Sequence, residues 1–167
     1  MKTVQPKLLE AAAELFARHG YAGVSMRQIA RETGITQAAI YHHFANKDEL
    51  YLACLEHLYA GQSDALVSLV ASEQVREKRL QLVVAQLLQI FDEPALFRQI
   101  YFRELLDGDE QRLKMLSDRV FPEIEELLGE LMIELAPKLD PELMMLSLTG
   151  LVFHHLEARK VYPLMKG

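Results

Sequence analysis

The chain has 167 residues, half of them apolar and a quarter charged, with a net charge of −6 and one cysteine, Cys54. That balance excludes a disordered chain and suits one globular domain, or a small module fused to a larger one. A lone thiol excludes an intramolecular disulfide and fits a reducing, cytoplasmic setting.

Helical periodicity runs the length of the chain. Leu8, Ala12, Leu15 and Phe16 fall on one stripe, and Gly20 stands where a C-terminal cap belongs. Ser25 opens a short second helix with the S-x-x-Q spacing of a capping box, which Gly34 closes. Thr36 caps a third helix, Gln37 to Phe44, and Asn46 with Glu49 caps a fourth that is expected to reach about Val70. A helix over about Val75 to Phe91 carries Leu80, Val83, Val84, Leu87 and Leu88 as its buried stripe. Pro94 suits the first turn of the next, to Leu106. The segment Asp109 to Leu135 should kink or restart at Pro122, and Asp140-Pro141 begin a last helix to about Tyr162. Nothing alternates with period two for long, so the fold class is all-α. No signal-peptide pattern opens the chain. The longest mostly apolar run, Leu143 to Phe153, is too short to span a bilayer, so no membrane partner is expected.

Charge divides the chain unequally. Residues 1–50 hold six basic against five acidic side chains, a net of +1; the rest hold twelve against nineteen, a net of −7. A polyanionic partner therefore belongs to the first fifty residues. There, two short helices joined by Thr33-Gly34-Ile35-Thr36 have helix-turn-helix dimensions, with Ile29, Ala30, Ile35, Ile40 and Phe44 as a shared core. Stepping 100° per residue puts Ile40 and Phe44 inward, Ala38 and His42 nearly opposite, and Ala39 and Tyr41 on the flanks. Small alanines on an exposed face allow close approach, and a major groove admits one helix. Lys47 falls in the first turn of a capped helix, where dipole and free N–H groups favour a phosphate.

The stretch SMRQIARETGITQAAIYHHFANKDEL, preceded by LLEAAAELFARHGYAGV, resembles the N-terminal signature of the TetR family of bacterial transcriptional regulators over about Leu8 to Leu50. Its Y-x-H-F-x-x-K-x-x-L spacing is specific. The resemblance implies a DNA-binding domain over residues 1–50, with its motif at about 25–44, and a helical ligand-binding and dimerisation domain over 51–167. By that similarity Ser25, Arg27, Gln37, Tyr41 and Lys47 hold phosphates or flank bases, while Ala38, Ala39, His42 and His43 face the groove. Ala38 and Ala39 depart from larger or more polar choices, so sequence preference rests partly on Arg27, Gln37, His42 and DNA shape. The implied function is a homodimeric repressor on double-stranded operator DNA, released by a small-molecule effector. The rival reading is a helical ligand-sensing protein with weak or no operator recognition.

Other chemistry fares poorly. His42 and His43 project about 100° apart, as do His154 and His155, whereas two ligands on one helix normally stand at i and i+4. No metal and no cofactor is expected. One of His154 and His155 is expected nearer the core. Gly-rich phosphate loops, nucleophile elbows and zinc spacings are missing, so no catalytic residue is assigned. The run Glu123, Glu125, Glu126 and Glu130 reads as a solvated helical face, as do Arg31 and Glu32. Leu127 to Leu135 and Leu143 to Phe153 are apolar nearly all round, which predicts burial on several sides, in an ordinary internal core or, as the resemblance favours, in a two-fold four-helix interface, with Gly129 and Gly150 permitting close helix approach. An effector pocket is expected among the middle helices, with Phe91, Phe97, Tyr101, Met115, Phe121 and His154 as candidate lining and Arg98 or Arg103 receiving an anion.

Overall fold

The computed structural model describes residues 6–60, 66–68, 70, 72–73, 75–92, 95–159 and 161–166. The elements are α1 (Pro6–His19), α2 (Met26–Thr33), α3 (Gln37–His43), α4 (Lys47–Tyr59), α5 (Arg76–Asp92), α6 (Ala95–Asp107), α7 (Glu110–Val120), α8 (Pro122–Leu135) and α9 (Pro141–Ala158). A 3₁₀ turn, Tyr162–Lys166, follows. No strand occurs among the described residues.

The chain forms two compact units. One is residues 1–60 with 94–120, and the other is residues 61–93 with 121–167. In the first, α1 packs on α2, α4 and α6, and α4 packs on α7. Ala12 and Ala13 are fully buried, which lets neighbouring helices approach the α1 backbone, and Phe16, Ile29, Ile40, Leu50 and Leu55 fill the space between. In the second, α5, α8 and α9 pack on one another around Val83, Leu87, Leu128, Leu131, Val152 and Leu156. The division by motif and charge at residue 50 thus differs from division by packing, since 94–120 return to cover the N-terminal helices.

Local signals set most boundaries. Gly20 (φ 72°) and Gly34 (φ 69°) take the left-handed conformation that ends α1 and α2. The Gly20 N–H donates to the Phe16 carbonyl at 2.9 Å. Pro122 does not kink one long helix. Phe121 leaves helical geometry (φ −112°, ψ 3°) and Pro122 restarts the chain as the first residue of α8. Asp140 caps α9, its carboxylate accepting from the amides of Glu142 at 2.9 Å and Leu143 at 3.3 Å.

Three expectations change. The fourth helix ends at Tyr59, where Ala60 turns to φ −51°, ψ 130°; residues 61–65, within the stretch expected to continue it to about Val70, lie outside the described ones. The last helix stops at Ala158 and gives way to the 3₁₀ turn. Finally, α9 is not buried on several sides within the single chain, so an ordinary internal core does not account for its apolar surface. Only Val152 and Leu156 are buried along it, while Leu143, Leu146 and Leu151 are 64, 60 and 69 % exposed. A Cβ placed on Gly150 would meet nothing within 4 Å. Within the single chain this apolar face is left exposed.

Candidate nucleic-acid interface

Three consecutive helix starts build the N-terminal surface. The Ser25 hydroxyl accepts from the Gln28 amide at 3.2 Å, the Thr36 hydroxyl from the Ala39 amide at 3.1 Å, and the Asn46 side chain from the Glu49 amide at 2.9 Å. Each satisfies an amide that the helix itself leaves open. Thr33 closes the far end of α2, its hydroxyl donating to the Ile29 carbonyl at 2.8 Å.

On that frame α3 stands as its periodicity predicts. Ile40 is fully buried and Phe44 nearly so. Gln37, Ala38, Tyr41, His42 and His43 are exposed, Tyr41 to 47 %, and Ala39 lies half-buried on the flank. The imidazoles of His42 and His43 meet edge to face at 5.5 Å between centroids. Among the described residues no group of three metal-ligating side chains converges.

Ser25 and Arg27 are exposed and line an open recess at the start of α2 with Gln28 and Arg31. Arg31, expected to be mere surface, thus joins Arg27 on one edge. Their i, i+4 spacing was the available signal.

Lys47 departs from its expected role. Its ammonium points into the α1–α2 loop, donating to the carbonyls of Tyr21 at 2.9 Å and Val24 at 3.0 Å, and lies 3.9 Å from the Tyr21 ring centroid. Two of its three N–H groups are therefore engaged by the protein rather than offered to a phosphate. Burial lowers its pKa, opposed by Asp48 and aided by Arg112. Sequence position located the residue at the helix start, but the carbonyls it meets lie more than twenty residues away.

Around the same loop lies a polar network entirely within the first unit. The Tyr21 hydroxyl donates to Asp48 at 2.7 Å, and the Arg112 guanidinium lies 4.2 Å from the Tyr21 centroid. Arg112 Nε donates to Glu104 at 2.9 Å, and the buried Tyr51 hydroxyl donates to the other Glu104 oxygen at 2.9 Å. Burial first, then Glu104, raises the Tyr51 pKa; burial first, then Asp48, raises that of Tyr21. Their contribution to stability is complete below the ordinary tyrosine value of about 10 and is lost as pH rises past it, because the unfolded chain ionises first. Lys47 acts in the opposite direction, so the check is a comparison between parent and Tyr51→Phe. Urea midpoints followed from about pH 8 to about pH 11 should fall less in the variant; an equal fall in both contradicts the assignment.

The effector candidates divide between the two units. Phe97, Arg98, Tyr101, Arg103 and Met115 belong to the first, Phe91, Phe121 and His154 to the second. Phe97 is buried and stacks with Tyr59 at 5.4 Å and Tyr101 at 6.3 Å. Arg98 is buried, Tyr101 and Met115 are half-buried, and Arg103 is exposed. Phe91 packs edge to face on Phe153 at 4.4 Å, and Phe121 is half-buried. His154 and His155 are both exposed, contrary to the expectation that one approaches the core, because α9 buries the side carrying Val152 and Leu156.

Among the described residues no single helix is long and apolar enough to cross a membrane. Residues 8–54 match the family model described as bacterial regulatory proteins, tetR family. Over 47 residues the chain is 45 % identical to the HTH-type transcriptional repressor AcnR of Corynebacterium efficiens, covering 28 % of this chain and 25 % of that protein. Against the HTH-type transcriptional repressor KstR2 of Mycobacterium tuberculosis it is 32 % identical over 137 residues, 72 % of this chain and 66 % of the relative. The match thus spans a quarter of AcnR and just under two thirds of KstR2. The fold is that of the transcriptional regulator FadR from Bacillus subtilis, whose structure is in complex with stearoyl-CoA, at TM-score 0.78 and 15 % identity over 95 % of this chain and 88 % of that one.

Proposed function

The chain belongs to the TetR family of bacterial regulatory proteins, and from that premise we propose that it is a sequence-specific, DNA-binding transcriptional regulator, a homodimeric repressor released by a small-molecule effector. The observation that carries this reading is the outward face of α3. Gln37, Ala38, Tyr41 and His42 are open to solvent on a short helix held by Ile40 and Phe44. A rod of that width, capped by small side chains, fits alongside bases in a major groove. Tyr41, Ser25 and Arg27, with Arg31 beside them, are suited to phosphates; Gln37 and His42 are suited to base edges. The uncovered face of α9 supports a two-fold partner, which would present two such helices about 34–36 Å apart, one helical turn of DNA. The acidic remainder of the chain stays off the duplex.

An effector that prefers another spacing of the two heads would shift the population off DNA by its differential affinity alone. The buried Phe97, stacked on the half-buried Tyr101, and the buried Arg98 on the same helix support an apolar molecule with an anionic group, the chemical class of the stearoyl-CoA held by the B. subtilis FadR structure.

Selection of duplexes from a random-sequence pool, followed by titration at rising salt, tests the reading. The parent should enrich a palindromic sequence and lose affinity steeply with salt. Tyr41→Ala should weaken binding to every sequence and lower the salt slope by roughly one unit for each phosphate that is no longer held. Gln37→Ala or His42→Ala should instead relax preference at particular base pairs, by about 1–3 kcal/mol each. A parent that selects no sequence over random DNA would leave the sensing protein without operator recognition, for which the two alanines of α3 argue.

A further inference from the structure

Outside the N-terminal motif, one side chain reaches the element that orients it. The loop of residues 20–25 leads into α2, and Lys47 at the start of α4 ties that loop to the end of α3 through its bonds to the Tyr21 and Val24 carbonyls. Tyr21 is held from two further directions. Its hydroxyl bonds Asp48 at 2.7 Å, and its ring receives the Arg112 guanidinium at 4.2 Å. Arg112 is itself fixed. Its Nε donates to Glu104 at 2.9 Å, a second nitrogen lies 3.2 Å from Asp109, and Glu104 is locked by the Tyr51 hydroxyl. Arg103 supports the same loop, since a Cβ on Gly20 would come within 3.1 Å of its Cδ. The Arg112 side chain is only 14 % exposed and that of Glu104 1 %. Neither is placed as a phosphate contact.

Building on the reading of the chain as a DNA-binding regulator, we propose that Arg112, anchored by Glu104, is a positioning residue for the recognition helix α3, acting through Tyr21 and Lys47. The guanidinium pins the Tyr21 ring, the loop keeps its two carbonyls on the Lys47 ammonium, and α4 thereby begins at a fixed angle directly after α3. A flat cation suits this role, because it stacks on the ring while its edge bonds the carboxylate. Without that stacking the loop is freed, and the helix reaches the groove in several poses rather than one. Affinity for a cognate duplex then falls, while non-specific attraction to phosphates changes little.

The test uses the full chain and a fluorescent duplex selected by the parent from a random pool, with a random-sequence duplex as the control. Arg112→Met should bind the selected duplex about tenfold more weakly, bind the control as the parent does, and keep its far-ultraviolet circular dichroism. Amide exchange of residues 21–25 should quicken. Lys47→Met combined with Arg112→Met should be no weaker than Lys47→Met alone, since both act through one loop. Should Arg112→Met not fold, Arg112→Lys keeps the bond to Glu104 without the flat stack and should show a smaller, threefold loss, on the order of half the effect on a logarithmic scale. Folded variants that bind the selected duplex as the parent does, or losses that add in the double variant, overturn the positioning role and leave the regulator reading intact. A parent that selects no duplex fails the regulator reading itself.

Discussion

Placing glutamates at Leu143 and Leu151 is expected to convert the proposed dimer to a monomer and to lower affinity for a palindromic operator by a factor on the order of 10²–10⁴. Both leucines lie on the open side of α9, 64 and 69 % exposed, so a carboxylate there costs the isolated protomer little, within about 0.5 kcal/mol for a surface substitution. In a two-fold contact the same carboxylate meets its own symmetry mate or an apolar neighbour, and its desolvation has no compensation. Each head then binds a half-site alone, losing the high effective concentration that linkage gives the second head. Sedimentation equilibrium gives the mass and titration gives the affinity; circular dichroism should be unchanged. A double variant that still sediments as a dimer and holds the operator as the parent does would place the two-fold contact elsewhere.

The second large effect is on stability. Glu104→Ala should destabilise the first unit by about 3 kcal/mol, at the lower end of the range for breaking a buried pair. Both carboxylate oxygens are committed, one to Tyr51 and one to Arg112, each at 2.9 Å, and the side chain is 1 % exposed. Its removal strands a guanidinium 14 % exposed and a buried phenol. Asp109, 3.2 Å from Arg112 and partly exposed, takes up some of that charge, which is why the lower end is expected. Glu104→Gln keeps an acceptor for Tyr51 and should cost about half as much. Urea unfolding followed at the Tyr51 environment, reading the first unit separately from the second, measures this. A cost below about 1 kcal/mol would mean that the pair behaves as a surface ion pair.

Much of the N-terminal surface was legible in the residues alone. Ser25, Thr36 and Asn46 each cap a helix, and each cap is decided within three residues, so the start of every N-terminal helix after α1 could be read locally. The same holds for the two faces of α3. Once Ile40 and Phe44 are inward, a 100° step leaves Ala38 and His42 outward whatever lies beyond. Gly20 and Gly34 marked their turns because only a residue without a Cβ takes φ near +70° at little cost.

What tertiary structure alone decided depends on contacts far apart in sequence. Periodicity placed Lys47 at a helix start, but not the Tyr21 and Val24 carbonyls that turn its charge inward. It read Leu143 to Phe153 as apolar all round, yet only the packing of α5 and α8 on α9 fixes which side stays bare. Pro122 announced a break, but not that the residues before it return to the N-terminal helices while those after it join the second unit. Backbone and side-chain preferences act over one or two turns, and so they are written in neighbouring residues. Where a side chain ends its reach depends on which distant segment folds back to meet it, and no local rule carries that information.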